Sequence, residues 1–230
     1  PATVSLKTGA TQTFTAAVTG TSNTGVTWKA SGGTITSGGL YTAPATAGTY
    51  TVTATSVADT SKSATATVTV TEPVTVTEKI LNGGFENGSA SWTGTTAAIG
   101  TWPAQPAFQG TKNAWLAGNG KTTTETLAQT VTIPSAATSA NLTFQLHIDS
   151  AETTATTAYD RLVVSVLSAT GTTLKTLATY SNVNKAAGYQ LRTFDLSAYK
   201  GQTVQIHFKA TEDSVYQTSF VLDNLSLAVK

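Results

Sequence analysis

The stretch Leu142-Thr143-Phe144-Gln145-Leu146-His147-Ile148-Asp149 alternates strictly between apolar and polar residues. Successive side chains of an extended strand point to opposite faces, so the four apolar residues share one face and the polar residues share the other. The same period of two returns in residues 203–209, where Val204, Ile206 and Phe208 fall on one face. We therefore predict antiparallel sheets that are each buried on one face and pack together as a β-sandwich.

The first third of the chain shows the same alternation in shorter segments. In Thr49-Tyr50-Thr51-Val52-Thr53-Ala54-Thr55, threonines occupy one face and larger or apolar residues the other. Threonine is β-branched and suits a pleated, half-solvated surface. No window shows a helical period with capping residues, so we expect an all-β chain. Strands are predicted at residues 4–7, 12–18, 26–30, 40–42, 48–56, 64–71, 127–133, 141–148, 161–167, 174–180, 191–194, 203–209 and 220–227.

The composition limits the classes of function. Charged residues make up 11% of the 230 residues, hydrophobic residues make up 40%, and the net charge is +1. This balance indicates a folded chain and offers no charge excess for nucleic acid or for an anionic membrane. Cysteine and methionine are both absent, which excludes disulfides, thiolate metal sites and cysteine nucleophiles. Low charge, abundant threonine and no sulfur favour a secreted, extracellular bacterial protein, and we expect a monomer.

Two domains are expected from the length and from a break in the pattern. The stretch Glu72-Pro73-Val74-Thr75-Val76-Thr77-Glu78 contains a proline, which lacks a backbone donor and biases the residue before it to an extended conformation. We predict a first domain at residues 1–72, a stiff linker at 73–78 and a second domain at 79–230. Both domains are long enough to bury a core.

Residues 1–72 resemble the Ig-like domains of bacterial extracellular proteins. The resemblance is carried by Gly25-Val26-Thr27-Trp28, Gly39-Leu40-Tyr41-Thr42-Ala43-Pro44 and Gly48-Thr49-Tyr50-Thr51-Val52-Thr53-Ala54. It implies an Ig-like sandwich with Trp28 in the core.

Residues 79–230 resemble a jelly-roll module at both ends. The opening run Leu81-Asn82-Gly83-Gly84-Phe85-Glu86-Asn87-Gly88 is followed by Trp92, and the closing strand reads Phe220-Val221-Leu222-Asp223-Asn224-Leu225-Ser226-Leu227. Such ends are common among carbohydrate-binding modules and in the C-terminal regions of secreted bacterial hydrolases. The interior is similar to a C-terminal domain of secreted sedolisin-type and subtilisin-type peptidases, through residues 142–154, 158–162, 177–182 and 194–204. The resemblance implies a non-catalytic jelly roll, with a catalytic domain outside this chain.

The sequence offers no catalytic residues. His147 and His207 are the only histidines, and each lies among polar neighbours on the outward face of a predicted strand. The nucleophile motif G-x-S-x-G and the zinc motif H-E-x-x-H are both absent. We therefore expect no enzymatic activity in this chain.

A structural calcium ion is implied by the resemblance to carbohydrate-binding modules. In those modules the glutamate of the opening motif and an aspartate near the C-terminus commonly hold the ion, which here implicates Glu86 and Asp223, with Asn82 as a further oxygen donor. The alternative is that both carboxylates only accept hydrogen bonds from turn amides. A second, weaker oxygen cluster is expected at Asp149, Glu152 and Asp160, because calcium prefers carboxylate and carbonyl ligands.

A sugar site would need exposed aromatic rings beside polar groups. Trp102 and Phe108 lie in a loop without alternation, and they are the first candidates, with Tyr189 and Tyr216 behind them. Trp92 and Trp115 are expected in the core.

Together these features predict a non-catalytic accessory region that attaches a secreted hydrolase to an extracellular polymer, most naturally a polysaccharide. Two alternatives remain open: a structural module that spaces and stabilises a peptidase, and the stalk of an adhesin. A coplanar aromatic strip on one sheet would favour sugar binding, whereas a hydrophobic patch would favour docking on a catalytic domain.

Overall fold

A computed structural model describes residues 1–230 and contains eighteen strands and three short 3₁₀ turns. The all-β prediction is confirmed. By its internal contacts the chain divides into two compact units, Pro1–Thr75 (unit 1) and Val76–Lys230 (unit 2). No helix in the structure has the length and apolar character needed to cross a membrane.

Unit 1 consists of two sheets around a small core. Its strands are β1 (Thr3–Lys7), β2 (Thr11–Thr13), β3 (Val26–Ala30), β4 (Thr34–Ile35), β5 (Leu40–Thr42), β6 (Gly48–Ser56) and β7 (Ser63–Thr71). One sheet has the order β1-β7-β6-β3 and the other the order β2-β5-β4. Strand β1 runs parallel to β7, and the other pairs are antiparallel.

The core of unit 1 is built by the alternating residues. Tyr41, Val52 and Val68 are buried, and half-buried Trp28 packs against them. The strand predicted at residues 12–18 is wrong beyond its beginning, since β2 ends at Thr13. Thr13 already pairs with Leu40, the first residue of β5, so the chain that follows has no partner strand.

Unit 2 is a sandwich of two larger sheets. Its strands are β8 (Thr77–Glu78), β9 (Thr93–Gly94), β10 (Ile99–Gly100), β11 (Asn113–Ala117), β12 (Thr123–Thr132), β13 (Ala140–Ser150), β14 (Arg161–Ser168), β15 (Thr173–Ser181), β16 (Gln190–Asp195), β17 (Thr203–Glu212) and β18 (Thr218–Val229). The 3₁₀ turns are Thr96–Ala98, Asn182–Asn184 and Ser197–Tyr199. The front sheet has the order β10-β11-β18-β13-β16, with β8 also paired to β18, and the back sheet has the order β15-β14-β17-β12-β9.

The core of unit 2 lies between the inward faces of these sheets. Phe144 of the front sheet meets Phe208 of the back sheet with ring centroids 5.2 Å apart at 88°. Both rings are fully buried, as the alternation predicts. Trp92 also belongs to this core, where it contacts Phe85 at 5.2 Å and donates its indole N–H to the carbonyl of Asn82 at 3.0 Å.

The opening turn of unit 2 is fixed to the closing strand. The amide of Leu225 donates to the carbonyl of Gly83 at 2.9 Å. The side-chain amide of Gln129 accepts from the Leu81 amide at 2.7 Å and donates to the Leu81 carbonyl at 2.8 Å. Glu78 accepts the Leu227 amide at 2.7 Å, so the end of the predicted linker is already a strand of unit 2.

Candidate functional site

The outer face of the front sheet is covered where a free surface would be expected. Register places Gln145 opposite Asp223 and His147 opposite Val221, all on the face turned away from the core. Val221 and Asp223 are nevertheless fully buried. Residues 101–112, the loop that precedes β11, lie against Asp223, and we name this loop the strap.

Two carboxylates hold the strap through its backbone amides. Asp223 Oδ2 accepts from the Phe108 amide at 2.8 Å and from the Gln109 amide at 3.0 Å. Glu86 Oε1 accepts from the Thr111 and Lys112 amides, both at 2.8 Å. These hydrogen bonds connect the opening motif, the strap and the closing strand.

Side chains of the front sheet hold the other half of the strap. Gln105, which is buried, donates to Asp149 Oδ2 at 3.1 Å, and Asn113 donates to the Gln105 carbonyl at 2.6 Å. The Tyr189 hydroxyl donates to the Pro106 carbonyl at 3.0 Å. Burial, followed by the nearby Asp223 carboxylate, raises the pKa of Tyr189 to about 12, so the phenol remains a neutral donor at physiological pH.

Three of the four predicted aromatic residues lie at this face, Trp102 and Phe108 in the strap and Tyr189 just before β16. Trp102 contacts Trp115 with ring centroids 5.8 Å apart at 82°. Phe108, which is 48% exposed, contacts Tyr189 at 5.6 Å and 65°, and His147 lies 5.7 Å from the same tyrosine. The rings form two pairs at steep angles, so the four rings do not share one plane.

Trp115 lies elsewhere than the sequence predicted, and Tyr216 lies apart from the other three candidate rings. Trp115 was expected in the core, but it is half-buried on the outer face, because in β11 it pairs with outward-facing Val221. Tyr216 lies in the turn between β17 and β18, 50% exposed, and contacts none of the aromatic pairs.

Asn82 uses its side chain within the opening turn. Its Nδ2 donates to the carbonyls of Gly88 at 2.9 Å and Ala90 at 3.0 Å, and its Oδ1 accepts from the Asn87 amide at 3.1 Å. The residue has a φ of 53°, which asparagine tolerates better than most residues.

The electrostatics of Glu86 and Asp223 differ. Hydrogen bonds from the Lys112 and Thr111 amides hold the pKa of Glu86 below its ordinary value. Burial raises the pKa of Asp223, three backbone amides oppose that rise, and the charge of Glu86 adds to it. The two carboxylates therefore repel each other across the strap.

These residues meet only part of what calcium requires. Glu86 Oε2 and Asp223 Oδ1 accept one hydrogen bond each, from Thr111 Oγ1 and from the Asn224 amide, and so retain a free lone pair. Calcium takes six to eight oxygen ligands, so carbonyl groups or water would have to complete the shell. No group of three or more histidine or acidic side chains is arranged to hold an ion. The observed contacts are those of the alternative in which turn amides are the partners, and the calcium site stays a prediction.

The predicted second cluster is divided by the structure. Asp149 contacts the strap, whereas Glu152 and Asp160 are buried in the loop between β13 and β14. Asp160 accepts from the Asp213 amide at 2.8 Å and from Thr218 Oγ1 at 2.5 Å. Glu152 is 4% exposed, and its carboxylate accepts no hydrogen bond from the protein; burial and then Asp160 and Asp213 raise its pKa.

The outer face of the back sheet contains an open groove of about 590 Å³. His207 and Lys209 of β17 line it together with hydroxyl-bearing and aliphatic residues of β12, β14 and β15. Burial and then the charge of Lys209 lower the pKa of His207. The groove could not be predicted from the sequence, in which only the polar neighbours of His207 indicate an outward face.

No protein-family profile matches this sequence, and no curated protein matches it. Several solved structures are similar to part of the chain. The carbohydrate-binding module TmCBM61 in complex with beta-1,4-galactotriose is 16% identical, covers 67% of this chain and 99% of its own, and has a TM-score of 0.49. A Family 16 Carbohydrate Binding Module-2 is 22% identical over 64% of this chain and 97% of its own, with a TM-score of 0.41. The secreted serine protease VesC from Vibrio cholerae is 12% identical over 95% of this chain and 43% of its own, with a TM-score of 0.39.

Proposed function

We propose that unit 2 is a non-catalytic module that binds an extracellular polysaccharide through the outer face of its front sheet. The observation that carries this proposal is the strap, which places Trp102 and Phe108 at one face and packs against Tyr189 there. Aromatic rings beside directional hydrogen-bonding groups are the chemistry that recognises sugars. His147 supplies such a group beside Tyr189, and Asp149 supplies another where it contacts Gln105 of the strap.

The geometry favours recognition of separate sugar rings over adhesion to a flat surface. A flat crystalline polymer would require rings in one plane, but the two pairs are set at 82° and 65°. A flexible or soluble chain can present its sugars to differently oriented rings. We therefore place the preferred ligand among amorphous or soluble polysaccharides.

The back-sheet groove is the competing surface within this function. Its lining includes His207 and Lys209, but no aromatic residue. Stacking on a ring supplies much of the contact that holds a sugar, and a groove without rings lacks it. The front face is for this reason the better site.

The setting that we propose is a secreted bacterial hydrolase whose catalytic domain lies outside this chain. Unit 1, the Ig-like part by its sequence resemblance, would act as a spacer, and a calcium ion at Glu86 and Asp223 would stabilise the strap. The alternative is that both units only space and stabilise a peptidase, or form an adhesin stalk.

The proposal is tested by sedimentation of the full chain with amorphous cellulose, xylan, chitin and peptidoglycan. We expect micromolar or weaker affinity for at least one polymer, about −8 kcal/mol at most. Phe108→Ala should weaken that binding with little effect on the unfolding temperature, because the ring is 48% exposed. Tyr216→Ala is the matched control, since it removes an equally exposed ring away from the strap.

Failure to bind any of these polymers would favour the spacer alternative. Equal losses from Phe108→Ala and Tyr216→Ala would remove the front face from the proposal. If Lys209→Ala abolishes binding and Phe108→Ala does not, the binding site lies in the back-sheet groove.

A further inference from the structure

A small cavity beside the strap has walls suited to one ligand group. It measures about 200 Å³ and is lined by Trp102, Trp115, Asn119, Glu125 and three alanines. Pockets that enclose drug-sized ligands are roughly 300–1,000 Å³, so this one has room for a group of about one sugar ring.

Both indoles pack closely against glycines, where a side chain would leave no room for the ring. A Cβ at Gly100 would lie 2.9 Å from the Trp102 ring, and a Cβ at Gly118 would lie 2.5 Å from Trp115 Nε1. Trp102 also donates its N–H to the Ala98 carbonyl at 3.2 Å. The two rings meet at 82°, so they form adjacent walls of a corner.

The third wall carries a negative charge that no cation neutralises within the cavity. Glu125 Oε2 accepts from the Ala117 amide at 2.6 Å, which fixes the carboxylate in position. Its other carboxylate oxygen, Oε1, accepts no hydrogen bond within the protein and is not fully buried. The residues lining the cavity include no lysine, arginine or histidine.

Aromatic faces next to a carboxylate attract cations. A cation near the face of an indole is stabilised by the negative face of the ring, and hydrogen bonds to an ionised partner are stronger than neutral ones. A neutral sugar would use the rings but would gain little from the unpaired charge. An acidic sugar would be repelled by it.

We propose that this corner binds a protonated amino sugar, with its ring against Trp102 and Trp115 and its ammonium group on Glu125. The inference rests on the proposed glycan binding, and it specifies a cationic glucosamine-type residue as the preferred group. The side-chain amide of Asn119, which has no partner within the protein, is available to a neighbouring hydroxyl.

The full chain is titrated with oligomers of glucosamine, of N-acetylglucosamine and of glucose. Binding is monitored by tryptophan fluorescence and by the indole N–H resonances. We expect the glucosamine oligomer to bind at least tenfold more tightly than the two neutral oligomers, with both Trp102 and Trp115 resonances shifted. Raising the salt concentration should reduce that preference.

Glu125→Gln separates the role of charge from the role of structure. Glutamine keeps an oxygen for the Ala117 amide, so the unfolding temperature should change little, while the tenfold preference should disappear. Asp195→Asn is the matched control, because it neutralises an exposed carboxylate of unit 2 on a different strand.

The outcomes distinguish the two proposals. Equal binding of all three oligomers, or a preference that survives Glu125→Gln, overturns the amino-sugar inference and leaves glycan binding standing. If no oligomer binds and no polymer sediments with the chain, both proposals are overturned.

Discussion

Gly83 has no room for a side chain. A Cβ there would lie 1.8 Å from the carbonyl oxygen of Leu225, which is backbone of the closing strand and cannot move independently. Gly84, the next residue, would place its Cβ in open space. The two glycines look alike in the sequence, but only one of them is required by packing.

Gly83→Ala should therefore destabilise unit 2, by about 1–3 kcal/mol or more, because overpacking against backbone forces the opening turn away from β18. Gly84→Ala should leave the unfolding temperature nearly unchanged. Thermal denaturation of the two variants provides the comparison. Similar unfolding temperatures would show that the opening turn does not depend on its contact with Leu225.

The buried position of Glu152 predicts how the stability of unit 2 depends on pH. Its pKa is raised in the folded state by burial and by Asp160 and Asp213. A carboxyl group with a raised folded-state pKa favours folding when it is protonated, and that contribution is lost as the pH rises from its ordinary pKa through its folded-state pKa.

Glu152→Gln, which resembles the protonated form, should thus raise the unfolding temperature at pH 7. It should have little effect below the ordinary pKa of glutamate, where both forms are neutral. Unfolding temperatures measured from pH 3 to pH 8 test this. If the variant instead unfolds at a lower temperature at pH 7, and added calcium stabilises the parent chain but not the variant, Glu152 holds a cation.

Single residues were predictable where their role is local. Trp92 follows the opening motif and is in the core, and Trp102 and Phe108 were recognisable as loop aromatics. The partners of Gln105 and Asp213 were not predictable, because Gln105 meets Asp149 across 44 residues and Asp213 meets Asp160 across 53. No short-range pattern records such pairs.

At the scale of elements, the strap is the part whose stability should respond to a metal ion. It is held between Glu86 and Asp223, which repel each other, and a bound cation would remove that repulsion. A ligand that binds only the folded state stabilises it by about 2.7 kcal/mol at a hundredfold excess over its Kd.

If calcium binds here, a chelator should lower the unfolding temperature of unit 2 by about 5–10 °C. Glu86→Gln and Asp223→Asn should each abolish this sensitivity. Scanning calorimetry with calcium and with chelator, together with metal analysis after dialysis, tests whether calcium binds at these carboxylates. Identical transitions with and without chelator would leave donors of the protein, the backbone amides and Thr111 Oγ1, as the only partners of these carboxylates.

The long strands could be predicted from the sequence because each contains several alternations. Strands β13, β17 and β18 extend slightly beyond their predicted bounds, where Ala140, Ala210 and Val229 continue the buried face. Strands β4, β8, β9 and β10 have only two residues each, too few to show a period. They form because a neighbouring strand offers an edge, which is a property of the folded sheet.

At the scale of the whole molecule, the two units differ in the size of their cores. The core of unit 1 comprises seven buried residues, whereas the core of unit 2 comprises twenty-nine. The fraction of surface that a chain buries on folding rises with its size, so small domains are only marginally stable. The larger unit should be the more stable of the two.

We therefore expect two unfolding transitions in calorimetry of the full chain, with unit 1 unfolding at the lower temperature. Trp28 is the only tryptophan of unit 1, so Trp28→Phe should alter the fluorescence change of the first transition and leave that of the second intact. A separately produced fragment of residues 76–230 should reproduce the second transition, because its core is internal to the unit. A single transition in the full chain that the fragment of residues 76–230 does not reproduce would show that the units unfold as one cooperative body.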